Sequence, residues 1–233
     1  MSRWSDSLKR IFFPHHCFLC GEVIYPRQRV CSDCVHHRPY IYPPICDRCG
    51  RSKDDCHCGK RHRTFARCVS PFYHKGVAAQ GIYSLKKRGY SDTVDGFADE
   101  MAELVRREYG GIPFDVVTAV PLHKREWRER GFNQAERLGQ AVAKRLNLPY
   151  ETMLKKIAVT APQKELKAVQ RSGNLLGVFD VCADVSGKTV LLVDDVITTG
   201  ATLDECAKML KIFGAVEVYG VTAAAAVLSS GEE

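Results

Sequence analysis

The stretch Thr189-Val-Leu-Leu-Val-Asp194-Asp195-Val-Ile-Thr198-Thr199-Gly200-Ala201-Thr202 runs from a buried-strand pattern into two adjacent carboxylates. A loop of small and hydroxylic residues follows, and a helix starts at about Thr202. Unpaired N–H groups in such a loop and at a helix N-terminus make a cradle for an anion, with threonine hydroxyls as further donors. Gly200 lets the backbone approach that anion closely. Carboxylates at the carboxyl end of a strand face the crevice in which open α/β sheets bind ligands. Neither half is distinctive alone: strand-Asp-Asp occurs in Mg²⁺-binding folds without a phosphate loop, and Thr-Thr-Gly is a common turn. Joined in this order they describe a site for a phosphorylated ligand, because a buried charge pair needs a compensating partner.

Outward from this stretch the chain alternates helices and strands, the pattern of a parallel sheet. Upstream, Phe114 to Val120 reads as a buried strand closed by Pro121, and Asn133 to Leu146 as a helix that ends before Asn147-Leu148-Pro149. Helical spacing also predicts helices over Val77 to Lys87 and Thr93 to Tyr109. Downstream come a helix over Thr202 to Phe213, closed by Gly214, and a last apolar strand over Val216 to Val227. Thr160 to Leu176 is polar, basic and aperiodic, a long loop of the kind that carries function.

The chain has 233 residues, enough for one α/β domain with a small appendage, and a formal charge of +7 that suits phosphates, nucleotides or nucleic acid as partners. No apolar run approaches the roughly 18 residues that span a bilayer. Met1 to Pro14 places Trp4, Leu8, Ile11 and Phe12 at helical spacing around Lys9 and Arg10. It lacks a signal peptide's continuous apolar stretch and cleavage site, so the expectation is a short amphipathic helix and a cytoplasmic compartment.

Eight of the eleven cysteines fall between Cys17 and Cys58. They form Cys17-x-x-Cys20, Cys31-x-x-Cys34, Cys46-x-x-Cys49 and Cys56-x-Cys58. Two thiolates two residues apart curl around one ion, and four close a tetrahedral structural Zn²⁺ shell with no open coordination position. The simplest assignment is two sites in sequence order, Cys17/Cys20/Cys31/Cys34 and Cys46/Cys49/Cys56/Cys58. Interleaved pairing, and His57 as a substitute ligand in the second site, stay open, as do redox-active or merely buried thiols. Cys68, Cys182 and Cys206 read as core residues. The division expected is a Cys-rich zinc module over 1–63 and an α/β domain over 64–233. A segment with so little core needs such staples, although the module also suits a docking surface.

The Val190 to Thr202 pattern resembles the phosphoribosyl pyrophosphate (PRPP) signature of type I phosphoribosyltransferases. That resemblance implies a type I phosphoribosyltransferase fold, a parallel sheet flanked by helices, beside the double zinc-ribbon-like module. It assigns Asp194 and Asp195 to the ribose hydroxyls, directly or through Mg²⁺ water, and Thr198, Thr199, Gly200, Ala201 and Thr202 to the 5′-phosphate. Two further segments, Val120-Pro-Leu-His123-Lys124-Arg-Glu-Trp-Arg-Glu-Arg130-Gly131-Phe132-Asn133-Gln134 and Gln163-x-x-Leu166-x-x-x-x-Arg171-x-x-Asn174, join the cysteine module and Leu85-Lys86-Lys87-Arg88-Gly89. Together they look like the ComF family of bacterial competence-associated proteins. By that analogy Pro121, Leu122, His123 and Lys124 hold the pyrophosphate with Arg130 nearby, while Gln163, Arg171 and Asn174 lie on a loop that closes over the site.

Two functions follow as expectations. One is a Mg²⁺-dependent transfer of phosphoribose from PRPP to a nitrogen nucleophile, associated with DNA uptake. The other is a non-catalytic sensor of PRPP or a nucleotide that engages single-stranded DNA or DNA-uptake and recombination proteins. Arg63, Phe65, Tyr73, Trp127 and Phe132 offer the interleaved basic and aromatic surface for the DNA.

Overall fold

The computed structural model describes residues 14–25, 28–56, 58, 62–87, 91–122, 124–157 and 178–227. The cysteine-rich part opens with a small antiparallel pair, β1 (His15–His16) and β2 (Val23–Ile24), followed by α1 (Ser32–His37). Next come β3 (Arg67–Val69), β4 (Phe72–Tyr73), α2 (Gly76–Lys87), α3 (Ser91–Glu108) and β5 (Val116–Ala119). After α4 (Lys124–Arg130) and α5 (Gln134–Leu146), β6 (Leu154–Lys156) pairs antiparallel with β7 (Phe179–Val181). The chain closes through β8 (Thr189–Ile197), α6 (Ala201–Ile212) and β9 (Glu217–Ala225).

The main sheet has the order β3-β9-β8-β5, every pair parallel, and β4 continues along the same edge of β9 as β3. Val190 to Val193 in the central strand are fully buried, so both faces are covered and the sequence runs apolar without alternation. Leu191 and Leu192 each gain about 2 kcal/mol by leaving water. Asn133 caps α5, its Oδ1 accepting from Ala135 N at 3.0 Å while its Nδ2 donates to Val120 O, also at 3.0 Å. That pair fixes the start of α5 against the end of β5. Asn147, left-handed at φ 56°, ends the helix.

The expected helices and strands are present, with differences of physical origin. β8 runs on through Ile197, so Asp194 and Asp195 sit inside the strand and not at its tip; Asp194 still pairs with Thr222 of β9. The two short strands β3 and β4, the β6–β7 pair and helix α4 carry too few residues to show a period. Cys68 and Cys206 are core residues as expected, but Cys182 is exposed, its thiol directed at Thr152 O at 3.4 Å. Residues 1–13 of the expected N-terminal helix and the long loop over 160–176 lie outside the described residues.

One buried cluster extends from the cysteine module into the sheet. Phe18, between Cys17 and Cys20, meets Phe97 of α3 edge-on with ring centroids 5.0 Å apart. Tyr40 stacks on Phe72 at 4.8 Å.

Candidate functional site

Successive strand residues point to opposite faces, and the two aspartates divide accordingly. Asp195 is buried at 6 % exposure, and its Oδ2 receives Lys86 Nζ at 3.0 Å and Gln134 Nε2 at 3.1 Å. Its Oδ1 accepts from Val196 N at 2.7 Å. Gln134 Oε1 in turn accepts from Arg130 Nη1 at 3.3 Å, and Arg130 Nη2 stands 3.8 Å from Glu126. A line of polar groups therefore runs from α2 through Asp195 to α4. Asp194, half-buried, has its Oδ1 against the amide of Asp195 at 2.8 Å. Burial first, and then the charge of Asp195, push its carboxyl well above the usual range. His74 is held below its ordinary value by burial and by the Lys86 charge, against an opposing pull from Asp195.

Beyond Ile197 the loop turns outward. Thr198 and Thr199 are exposed, and Gly200, at φ 78°, is the N-cap of the twelve-residue helix α6 with no side chain capping it. That conformation suits glycine, and a Cβ there would lie 3.4 Å from Ile197 Cδ1 and 3.6 Å from the Arg63 guanidinium carbon. Ala201 and Thr202, both exposed, form the first turn, whose leading amides have no intrahelical partner. Ala201 N reaches back to Thr199 Oγ1 at 3.4 Å. Behind the loop, Arg51 Nη2 donates to Thr198 O at 2.7 Å and Arg63 Nη2 donates to Thr199 O.

Pro121 and Leu122 follow β5, whose Ala119 pairs with Val193, so this turn leaves the sheet beside the aspartates. Thus the structure brings Asp194, Asp195, the 198–202 loop, Pro121, Leu122 and Arg130 to one sheet edge. His123, the Lys124 side chain, Gln163, Arg171 and Asn174 lie outside the described residues. Sequence reasoning missed Lys86 and Gln134 as partners of Asp195. Both lay inside quoted motifs, but nothing in local spacing names their partner. It also missed Arg51, which gave no signal in an aperiodic segment. The aromatic set fares differently from expectation: Phe65 is a core residue at 3 % exposure and Tyr73 and Phe132 are half-buried, leaving Trp127, at 53 %, as the openly exposed ring of the four.

Cys17, Cys20, Cys31 and Cys34 gather in one cluster and Cys46, Cys49, Cys56 and Cys58 in another, each set of sulfurs within 4.8 Å of one another. This is the sequence-order arrangement. Tetrahedral Zn–S bonds of about 2.3 Å put sulfurs about 3.8 Å apart. The Cys20–Cys31 separation is 3.6 Å and Cys46–Cys56 is 3.2 Å, so both cages fit a zinc ion. Burial raises the Cys46 thiol, but amides of the knuckle, led by Arg48, and its sulfur neighbours pull it down to about 7. A group so easily deprotonated is a ready metal ligand.

Residues 133–230 match the Phosphoribosyl transferase domain family and residues 8–70 the Double zinc ribbon domain family. Sheet, loop and cysteine cages thus define a phosphoribosyltransferase-type α/β protein carrying a structural zinc module. The chain is 30% identical over 207 residues to the DNA utilization protein YhgH of Salmonella typhi, covering 87% of this chain and 86% of that one. It is 38% identical over 117 residues to Competence protein F of Haemophilus influenzae, covering 47% and 51% respectively. Competence protein ComFC of Bacillus subtilis is 25% identical over 199 residues, covering 81% and 80%. The chain belongs to the ComF family. Among solved structures it resembles the glutamine PRPP amidotransferase of B. subtilis, with a TM-score of 0.42 and 22% identity, over 57% of this chain and 28% of that one.

Proposed function

We propose that the protein binds Mg²⁺·PRPP at the sheet edge formed by β8 and the 198–202 loop, and that it serves DNA uptake from the cytoplasm. The observation that carries this reading is the pairing of an aspartate couple with an open phosphate loop on one strand. Among the described residues no ion pair reaches Asp194, and the exposed loop presents hydroxyls and the start of a helix. The 5′-phosphate takes Thr198, Thr199, Gly200, Ala201 and Thr202; the ribose hydroxyls take Asp194 and Asp195. The pyrophosphate lies along Pro121, Leu122, His123 and Lys124, with Arg130 behind, and Gln163 and Arg171 close over it. When bound, Mg²⁺ supplies positive charge for the leaving pyrophosphate. Lys86 and Gln134 hold the Asp195 carboxylate in place while the ligand engages Asp194. Residues 1–63 act as a zinc-bound buttress to residues 64–233.

Calorimetric titration of PRPP with Mg²⁺ into the native protein and into Asp194→Asn/Asp195→Asn tests the reading. Saturable binding that weakens at least about 100-fold in the double variant is expected, since each charged hydrogen bond contributes about 1.5–3 kcal/mol. No binding by well-folded, zinc-loaded native protein overturns it. Pyrophosphate release with a panel of bases and amines then separates a transferase from a sensor, which binds PRPP and releases none.

A further inference from the structure

Arg51 is a cationic side chain at 2 % exposure, and a guanidinium so buried needs its donors filled and its charge met. Its Nε donates to Ala226 O and its Nη2 to Thr198 O, each at 2.7 Å. Ala226 follows the end of β9 and Thr198 opens the phosphate loop, so one planar fork ties the exits of two neighbouring strands. The other end of the residue belongs to the second cysteine cluster. Its carbonyl accepts from Cys46 N at 2.7 Å, and Cys49 stands two residues before it in the chain. Gly50 and Ser52, on either side, bridge to Val69 and Ile45. Four thiolates around Zn²⁺ leave such a centre with a net double negative charge, the counter-charge the guanidinium requires.

We propose that Arg51 is a positioning residue through which the second zinc centre sets the conformation of the phosphate loop, so that metal occupancy at Cys46/Cys49/Cys56/Cys58 and anion binding at Thr198–Thr202 are coupled. Arg51 reaches the loop through carbonyls from behind, leaving the loop's amides and hydroxyls for the ligand. The coupling is reciprocal: whatever fixes the loop also favours retention of the second ion. This inference rests on the loop being the ligand site proposed above, and its test separates the two.

Hydrogen exchange of the Asp204 amide, bonded to Gly200 O, and the Ala226 amide, bonded to Ile197 O, reports on the loop and is measured in the zinc-loaded native protein, Arg51→Met and Cys58→Ser, with α3 amides as the internal reference. Zinc content is determined in each, and Mg²⁺·PRPP is titrated alongside. Expected are loop exchange about tenfold faster in both variants with α3 unchanged, and PRPP affinity about tenfold weaker. Unchanged loop exchange in Arg51→Met overturns the coupling, whatever PRPP does. Native protein that fails to bind PRPP while its loop responds to both variants sinks the ligand reading and leaves the link from the second zinc centre to the loop's conformation standing. Should Arg51→Met fail to fold, Cys58→Ser decides: a loop as protected as in native protein, with the second zinc gone, overturns the proposal.

Discussion

With Asp195 already bound by Lys86 and Gln134, Asp194 makes no ion pair among the described residues and feels the Lys86 charge only at a distance. Burial and the neighbouring carboxylate raise its folded-state value above the unfolded one. For an acid shifted upward, both states hold the proton at pH below the unfolded value and no penalty exists. As pH rises through the raised folded value the native state carries the whole penalty. Asp194→Asn removes the charge and keeps an oxygen for the Asp195 amide, so the ligand-free variant should be more stable than native at pH 7 by about 1 kcal/mol. The gain in Tm should shrink as pH is lowered toward 5, while PRPP binding is lost throughout. Thermal melts across that range check it, and an Asn variant no more stable than native at pH 7 overturns this account of Asp194. The aspartates and the threonine loop were legible because carboxylate pair, hydroxyls and glycine stand in one contiguous stretch. Lys86 and Arg51 were not, because a charge's partner across the fold leaves no trace in local spacing.

Helices α2, α3 and α5 could be read from apolar residues at helical spacing, but two positions within them look unfavourable in sequence and are required by packing. Gly96 of α3 and Gly81 of α2 resemble helix-weakening residues. In the structure they make room for Phe18: a Cβ on Gly96 would lie 2.2 Å from Phe18 Cγ, and one on Gly81 would lie 2.7 Å from Phe18 O. The first cysteine knuckle therefore seats an aromatic ring in a notch between two helices of the α/β layer. Gly96→Ala gains helix propensity yet displaces that ring, and the displacement wins: a net loss of about 2–3 kcal/mol is expected in denaturant unfolding. A neutral or stabilising result would mean that Phe18 relocates without cost. Strands β3 and β4 escaped the sequence reading for a different reason. Three and two residues long, with Pro71 between them, they hold their place through pairing with β9 and have no alternation of their own.

Cys17, Phe18 and Cys34 belong to the same buried cluster as Val190 to Val193, so the zinc module contributes to the core that holds the sheet together. A structural zinc site binds with about 10–16 kcal/mol, as much as or more than the net stability of a whole domain, so the metal-free module has no folded state to fall back on. Its unfolding withdraws Phe18 from α2 and α3, a loss of about 3–5 kcal/mol to the remainder, and releases the Arg51 clamp. At about 2–4 °C per kcal/mol for a protein of this size, chelation should lower Tm by roughly 10 °C or more. Because the cluster is continuous, calorimetry should show the zinc-loaded protein melting in one endotherm. The chelated protein should show a smaller endotherm at lower temperature, reversed by added Zn²⁺. Two separate endotherms in the loaded protein, the upper one indifferent to chelator, would mean that the α/β layer stands without its buttress. The coupling assigned to Arg51 would then have to operate between independently stable units.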